Sequence, residues 1–168
     1  MLQSIPTPTG TRLPRPPRRS GRGLPELTFQ WERLPPIASE LIALAKRNQA
    51  ETPLGEPFDP DFDRYYALDR SGACAAWTAR SGGALVGYVI WIWSRGLHSR
   101  CTTFADADPI YLAPEWRDGM TGLKFIRSSI AAVRELVNPT YVRIEEPGHL
   151  GILMRRLRAR QIGTVWRL

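Results

Sequence analysis

The segment from Asp108 to Val137 constrains the fold more than any other stretch of the chain. It reads DPIYLAPEWRDGMTGLKFIRSSIAAVRELV. Ile110–Leu112 predict the end of a buried strand, and a proline follows two residues later. Beyond the glycines Gly119 and Gly122, apolar residues recur with helical spacing, at Leu123, Ile126, Ile130, Val133 and Val137. The segment therefore predicts a strand, a glycine-containing turn and an amphipathic helix.

A turn of this kind has a defined chemical capacity. The first amide N–H groups of a helix have no acceptor within the helix, and the helix dipole places about half a positive charge at that end. Phosphate groups bind readily at such a position. We therefore expect this turn to hold a phosphate or a pyrophosphate group.

The stretch LAPEWRDGMTGL, residues 112–123, resembles motif A of the GNAT family of N-acyltransferases, of phage or bacterial type. That motif is a strand, then Pro-Glu-aromatic-Arg, then R-x-x-G-x-G/A leading into a helix. Arg117 and Gly122 fall on the first and last positions of the last pattern, whereas Met120 occupies the position of its first glycine. The resemblance implies that the loop binds the pyrophosphate of acetyl-coenzyme A (acetyl-CoA). The cofactor-binding residues expected on this basis are Ile110, Tyr111, Leu112, Arg117, Asp118, Gly119, Met120, Thr121, Gly122 and Lys124.

Length and charge predict one folded domain preceded by a basic arm. The chain has 168 residues, enough for a single core, and its net charge is +7. Residues 1–25 hold five arginines, six prolines and no acid, so alone they predict a disordered or extended arm. The arm is expected to contact an assembly partner, an acidic protein surface or nucleic acid, or to be a solvated leader. Residues 26–168 form the expected domain.

The longest apolar run predicts a buried strand and no membrane span. Ala84–Trp93 is ten residues long, against about 20 needed to cross a bilayer. The N-terminus lacks the apolar core of a secretory signal, which predicts a cytoplasmic protein of a bacterium or phage-infected cell, with a virion component as the alternative. Cys74 and Cys101 lack the spacing of a zinc site, and both are expected to be buried thiols.

Hydrophobic periodicity, capping residues and turns predict the remaining elements. In chain order they are a strand at Leu27–Trp31, a helix from Pro35, a helix at Asp61–Leu68, strands at Ala73–Ala79, Ala84–Trp93 and Cys101–Leu112, the motif helix, a strand at Thr140–Glu145, a helix at Leu150–Arg160 and a strand at Thr164–Arg167. Composition and pattern predict a mixed sheet between helices. The resemblance implies the GNAT topology, an α/β (α+β) fold with a mainly antiparallel sheet of six to seven strands and about four helices.

Acyl transfer requires the acceptor amine to be neutral, but a lysine-like amine has a pKa of about 10.4 and is protonated at neutral pH. A group that takes its proton is therefore needed. Asp108 is the first candidate, because it lies on the motif strand where the family often places an acid. Asp106, on the same face by the strand period, is the second. Glu145, followed by another glutamate at the end of the next strand, is the third. Each of these acids has the alternative of being a solvated strand-end residue.

The leaving thiolate needs a proton or a donor, which the family often supplies from a tyrosine in the last helix. No tyrosine occurs there, and His149 at the start of that helix is the candidate replacement. The resemblance also implies that the pantetheine arm lies along Ile110–Leu112, with Thr140–Glu145 as the opposite wall. Arg117 and Lys124 are expected to assist with the phosphates or, alternatively, to pack on the loop and face solvent.

The resulting hypothesis is an N-acyltransferase that moves an acetyl group from acetyl-CoA to an amine by direct attack in a ternary complex. The acceptor is a small molecule or a protein amine. The alternative is a non-catalytic GNAT-fold protein, such as a phage virion or assembly component tethered by residues 1–25. Met120, the missing tyrosine and the basic arm favour the alternative, whereas the turn-to-helix signature favours the enzyme.

Overall fold

A computed structural model describes residues 26–51, 57–144 and 150–160. The elements are β1 (Leu27–Glu32), α1 (Ala38–Glu51), α2 (Phe62–Arg70), β2 (Cys74–Ser81), β3 (Ala84–Arg95), β4 (Thr103–Leu112), α3 (Thr121–Val137), β5 (Tyr141–Ile144) and α4 (Leu150–Arg156). Short 3₁₀ turns at Pro35–Ile37 and Pro114–Trp116 precede α1 and α3. The predicted α/β (α+β) class and order of elements are confirmed over these ranges.

The sheet has the order β1-β2-β3-β4-β5, so neighbours in sequence are neighbours in space. The first three pairs are antiparallel, whereas β4 and β5 are parallel because α3 carries the chain back along the sheet. The described ranges contain five strands where six to seven were predicted. The predicted strand at Thr164–Arg167 and the arm 1–25 lie outside the described residues.

The described pairing of β4 with β5 covers only part of β4. This ladder joins Phe104–Ala107 to Tyr141–Ile144 and extends no further within the described residues. From Ile110 to Leu112 the described ladder partner of β4 is β3. The β3–β4 register also shifts here, since Ala107 pairs with Trp91 and Ile110 with Val89. Two residues of β4 therefore oppose one of β3, a bulge of the kind that redirects side chains at sites.

Strand β3 is buried on both faces, as its continuous apolar sequence predicted. Tyr88 and Ile90 pack in the cluster that includes α1, and Val89 and Trp91 pack in the cluster that includes α3. Gly87 allows a close approach to β4, because a Cβ there would lie 2.7 Å from Leu112 Cδ1 and 3.0 Å from Tyr111 O. The sheet thus forms a layer between α1–α2 and α3.

Helix α3 packs through a wider stripe than its periodicity predicted. Ile126 and Val133 are buried as expected, but Phe125 and Ser129 are buried as well. Ser129 can be buried because its hydroxyl donates to the carbonyl of Ile126 at 2.9 Å. Asn138, with φ 47°, ends the helix in the left-handed conformation that favours Asn and Gly.

A buried aspartate ties α2 to the start of α1. Asp69 is 1% exposed, and its carboxylate accepts from Arg33 Nε at 2.9 Å and from the amide of Leu34 at 3.1 Å. At the other end, Asp61 caps α2 by accepting from the Arg64 amide at 2.9 Å, as predicted. These bonds fix α2 against the sheet, where it faces β4.

The two cysteines differ in their surroundings. Cys74 is buried as expected, and burial, followed by the charges of nearby carboxylates, raises the pKa of its thiol to about 12. Cys101 is exposed in the β3–β4 loop, so the prediction that it is buried was wrong. No group of three His, Cys, Asp or Glu in the described ranges is arranged to hold a metal ion. The same ranges contain no helix long and apolar enough to cross a membrane.

Candidate active site

The loop between β4 and α3 has the open geometry that its glycines predicted. Gly119 adopts φ +62°, a value that favours glycine, and Met120 caps α3 without a side-chain bond. The amides of Gly119, Met120, Gly122 and Leu123 donate to no acceptor within the described residues. A Cβ placed on Gly119 or Gly122 would meet no atom within 4 Å. Unpaired donors therefore face open space at a helix N-terminus.

Arg117 anchors this loop to β4 and to α1. Its Nε donates to the carbonyl of Leu112 at 2.5 Å, and its Nη1 lies 2.7 Å from Glu51 Oε2. The guanidinium also lies 5.2 Å from the ring centroid of Tyr111, whose hydroxyl donates to Glu51 at 2.8 Å. Burial and the bond to Glu51 raise the pKa of Tyr111 to about 12. Because Arg117 has these partners, its first role is to hold the loop in place.

A cleft of about 2320 Å³ runs beside the loop and the open edge of β4. Six of the predicted cofactor-binding residues line it: Ile110, Tyr111, Leu112, Arg117, Gly119 and Gly122. Three others, Asp118, Thr121 and Lys124, line a separate cavity of about 360 Å³ beside β1. Met120 lines neither space, and 51% of it is exposed. The side chains of this second group point away from the cleft, although the Met120 amide is among the unpaired donors.

Asp108 directly follows the last described pair between β4 and β5, Ala107 with Ile144. It is exposed, it lines the cleft, and its Oδ2 accepts a hydrogen bond of 3.3 Å from the hydroxyl of Tyr65 on α2. No cation contacts its carboxylate within the described residues. Asp108 is therefore placed at the open edge of the strand with one neutral partner.

Asp106 is placed differently from Asp108. Arg143, the residue opposite it on β5, donates two hydrogen bonds to its carboxylate, one of them from Nη2 to Oδ2 at 2.7 Å. The Arg143 guanidinium also stacks 4.3 Å above the ring of Phe104. Asp106 thus joins the two strands within their described ladder. The other predicted catalytic residues, Glu145 and His149, lie outside the described residues.

No protein-family profile and no curated protein matches this sequence. Solved structures do match. A ribosomal-protein-alanine N-acetyltransferase from Brucella melitensis is 20% identical with a TM-score of 0.62, and the alignment covers 85% of this chain and 98% of that one. A predicted acetyltransferase from Clostridium acetobutylicum, solved with acetyl-CoA, is 11% identical with a TM-score of 0.67 over 85% and 96% of the two chains. The chain has the GNAT fold.

A third structure with this fold is an aminoglycoside acetyltransferase from an uncultured soil metagenomic sample, in complex with sisomicin. It is 13% identical to this chain with a TM-score of 0.62, and the alignment covers 84% of this chain and 95% of that one. The GNAT topology inferred from the motif is thereby confirmed, and the described residues contain its turn, its open strand edge and its flanking helices.

The GNAT fold brings together a group of side chains that sequence reasoning missed. Tyr65 of α2 contacts Asp108, and Cys74 of β2 and Tyr88 of β3 are near enough to feel its charge; burial is the main cause that raises the pKa of all three groups. Tyr88 is fully buried, and its hydroxyl has no hydrogen-bond partner in the described ranges. Asn48 is near enough to affect the pKa of that hydroxyl, but the two side chains lack hydrogen-bond geometry.

The predicted cap at Asp61 located α2, but nothing in its sequence indicated which side chain would reach β4. Tyr65 and Tyr66 are adjacent, and either could face the sheet from the periodicity alone. The contact to Asp108 depends on where α2 docks, 43 residues away in sequence.

Proposed function

We propose that the chain is an N-acetyltransferase that moves an acetyl group from acetyl-CoA to an amine by direct attack in a ternary complex. One observation carries the proposal: amides at the start of α3 that have no acceptor among the described residues lie next to the open space at Gly119 and Gly122, beside a strand whose described pairing with β5 ends at Ala107. The amides supply a site for a diphosphate. The strand edge supplies backbone groups that can pair with an extended, amide-containing chain such as pantetheine.

The loop supports this assignment through its rigidity. Arg117 is bound to Leu112 and to Glu51, so the amides that follow it are held before any ligand arrives. A site formed in advance loses less entropy on binding than one that must be ordered. In this proposal the guanidinium of Arg117 orients the amides, which make the phosphate contacts.

Asp108 is proposed to accept the proton of the amine. Its carboxylate lines the cleft that also reaches Gly122, and among the described residues only the Tyr65 hydroxyl contacts it. The amine nitrogen attacks the thioester carbonyl, the C–N bond forms, and the C–S bond breaks with release of the thiolate. Asp106 is the weaker candidate, because a base that holds Arg143 would first have to release it.

The neighbours support the co-substrate. One of them was solved with acetyl-CoA and another with sisomicin, and both share the fold over most of this chain. Their identities of 11% and 13% carry the fold to this chain, and the activity remains our proposal.

Calorimetric titration of the full chain with acetyl-CoA tests the proposal. We expect saturable binding with a Kd well below about 1 mM, which corresponds to about −4 kcal/mol. Release of free thiol in the presence of amines, such as a peptide with N-terminal alanine, should then follow. Absence of binding at millimolar acetyl-CoA would favour the competing hypothesis, a non-catalytic GNAT-fold virion or assembly protein. Removal of residues 1–25 should leave binding unchanged and would reveal any loss of assembly.

A further inference from the structure

Two groups of residues that line the cleft carry opposite charge. The first group is the arginines of α3, β5 and the α4 region, which line the cleft together with Arg117: Arg127, Arg134, Arg143, Arg155, Arg158 and Arg160. Among these six only Arg143 has a carboxylate partner within the described residues, namely Asp106. The second group, residues 57–66, contributes no lysine or arginine to the cleft. A ligand with both anionic and cationic parts would therefore bind in one orientation.

The second group is rich in aromatic rings. Phe58, Phe62, Tyr65 and Tyr66 all contribute to the cleft, and each is half-buried, so part of each side chain remains accessible. Phe62 and Tyr66 are paired with ring centroids 6.2 Å apart. The ammonium of Lys46 lies 6.0 Å from the centroid of Phe58, which shows that a primary amine can reach a ring face of this group.

Two carboxylates accompany these rings. Asp59 and Asp108 are exposed and line the same cleft. In the described part of the chain Asp59 has no hydrogen-bond or ion-pair partner, and Asp108 has only the Tyr65 hydroxyl. Burial and the charge of Asp108 raise the pKa of Tyr65, so this partner stays neutral. Neither carboxylate forms an ion pair with a described residue.

On the basis of the proposed function, we infer that the acceptor is a cationic amine with an apolar or aromatic body and no carboxylate beside the amine. Its ammonium is attracted by Asp59 and Asp108 and by the ring faces. A carboxylate on the same molecule would be repelled by these two like charges. The phosphates of acetyl-CoA lie at the start of α3, as proposed above.

The proton balance follows from this assignment. The ammonium gives one proton to Asp108, which passes it to solvent, and the neutral amine then attacks the thioester carbonyl. As the C–N bond forms and the C–S bond breaks, the nitrogen loses a second proton and the leaving thiolate of coenzyme A gains one. The products are the acetylated amine, free coenzyme A and one proton in solvent.

The test compares two acceptors that differ by one carboxylate, 2-phenylethylamine and L-phenylalanine, with the full chain and acetyl-CoA. We expect kcat/KM to be at least tenfold higher for 2-phenylethylamine, and the difference to shrink at high salt because exposed charges are screened. Equal or faster acetylation of L-phenylalanine would overturn the inference.

Asp59→Asn tests the origin of the preference, and Asp63→Asn is its matched control, because Asp63 is an exposed acid of α2 that does not line the cleft. We expect D59N to raise KM for 2-phenylethylamine threefold or more with kcat within twofold, while D63N changes neither. A D59N variant with unchanged discrimination would contradict the assignment. Acetylation of neither amine by a chain that binds acetyl-CoA would overturn the acceptor class, whereas failure to bind acetyl-CoA would overturn the proposed function.

Discussion

Replacement of Gly122 by leucine should separate the stability of the fold from its capacity to bind acetyl-CoA. Gly122 lies in the first turn of α3, and a Cβ placed there meets no protein atom within 4 Å. Leucine favours a helix by up to about 0.8 kcal/mol relative to glycine. We therefore expect unfolding to require about 0.5–0.8 kcal/mol more free energy, and Tm to rise by about 1–3 °C.

The same side chain would enter the cleft beside the unpaired amides of Gly122 and Leu123. If those amides hold the pyrophosphate, its approach is blocked, and Kd for acetyl-CoA should rise at least tenfold, about 1.4 kcal/mol. Thermal unfolding without ligand and calorimetry with acetyl-CoA measure the two effects separately. Glu135→Leu is the control, since Glu135 is exposed on the same helix and does not line the cleft.

A G122L variant that binds acetyl-CoA as tightly as the unchanged chain would refute the placement of the pyrophosphate. A variant with lower stability would instead show that open space at Gly122 does not exist in the folded protein. The E135L control should retain the affinity of the unchanged chain, so that any loss of binding in G122L is specific to the position.

Three further outcomes are expected. Asp108→Asn should lower kcat about 100-fold while leaving Kd for acetyl-CoA unchanged. If steady-state kinetics gave the variant the same kcat as the unchanged chain, Asp108 would be excluded as the base. Tyr111→Phe removes the hydrogen bond to Glu51 and should destabilise the fold by about 1 kcal/mol. Tyr88→Phe should be neutral or stabilising, because the Tyr88 hydroxyl has no hydrogen-bond partner among the described residues. Urea unfolding measures the stability of both variants. Bonds from Arg117 and Tyr111 to Glu51 outweigh burial and lower its pKa, and bonds from Arg80 and Thr78 do the same for Glu32. The stability that these two carboxylates contribute should be complete above their pKa in the unfolded chain, about 4.3, and be lost as the pH falls through their lower pKa in the folded protein. An unfolding free energy that stays constant below about pH 4 would contradict this.

Local patterns predicted the elements of this protein well. The turn of Gly119 and Gly122 into α3, the strand β3 buried on both faces and the cap at Asp61 all depend on residues within a few positions of one another. Periodicity, glycine conformation and capping chemistry act over such distances, so the sequence alone is sufficient for them.

The chemistry around β4 depended on contacts between distant elements. Asp106 and Asp108 are equivalent by the strand period, yet Arg143 binds one and Tyr65 contacts the other. The partners come from β5 and from α2, and no spacing within β4 indicates which acid each will reach. Asp118 likewise lies in the predicted phosphate loop, but its side chain lines the cavity beside β1.

The sequence by itself therefore determined that a helix begins at an open, glycine-containing turn after a strand, because that arrangement follows from backbone conformation and side-chain periodicity. Only the tertiary structure decided that Arg143 of β5 binds Asp106, that the Tyr65 hydroxyl meets the Asp108 carboxylate, and that aromatic rings of residues 58–66 and arginines of α3 line one cleft. Those features result from how separate elements dock, and the free energy of docking is distributed over many apolar contacts that no short motif encodes.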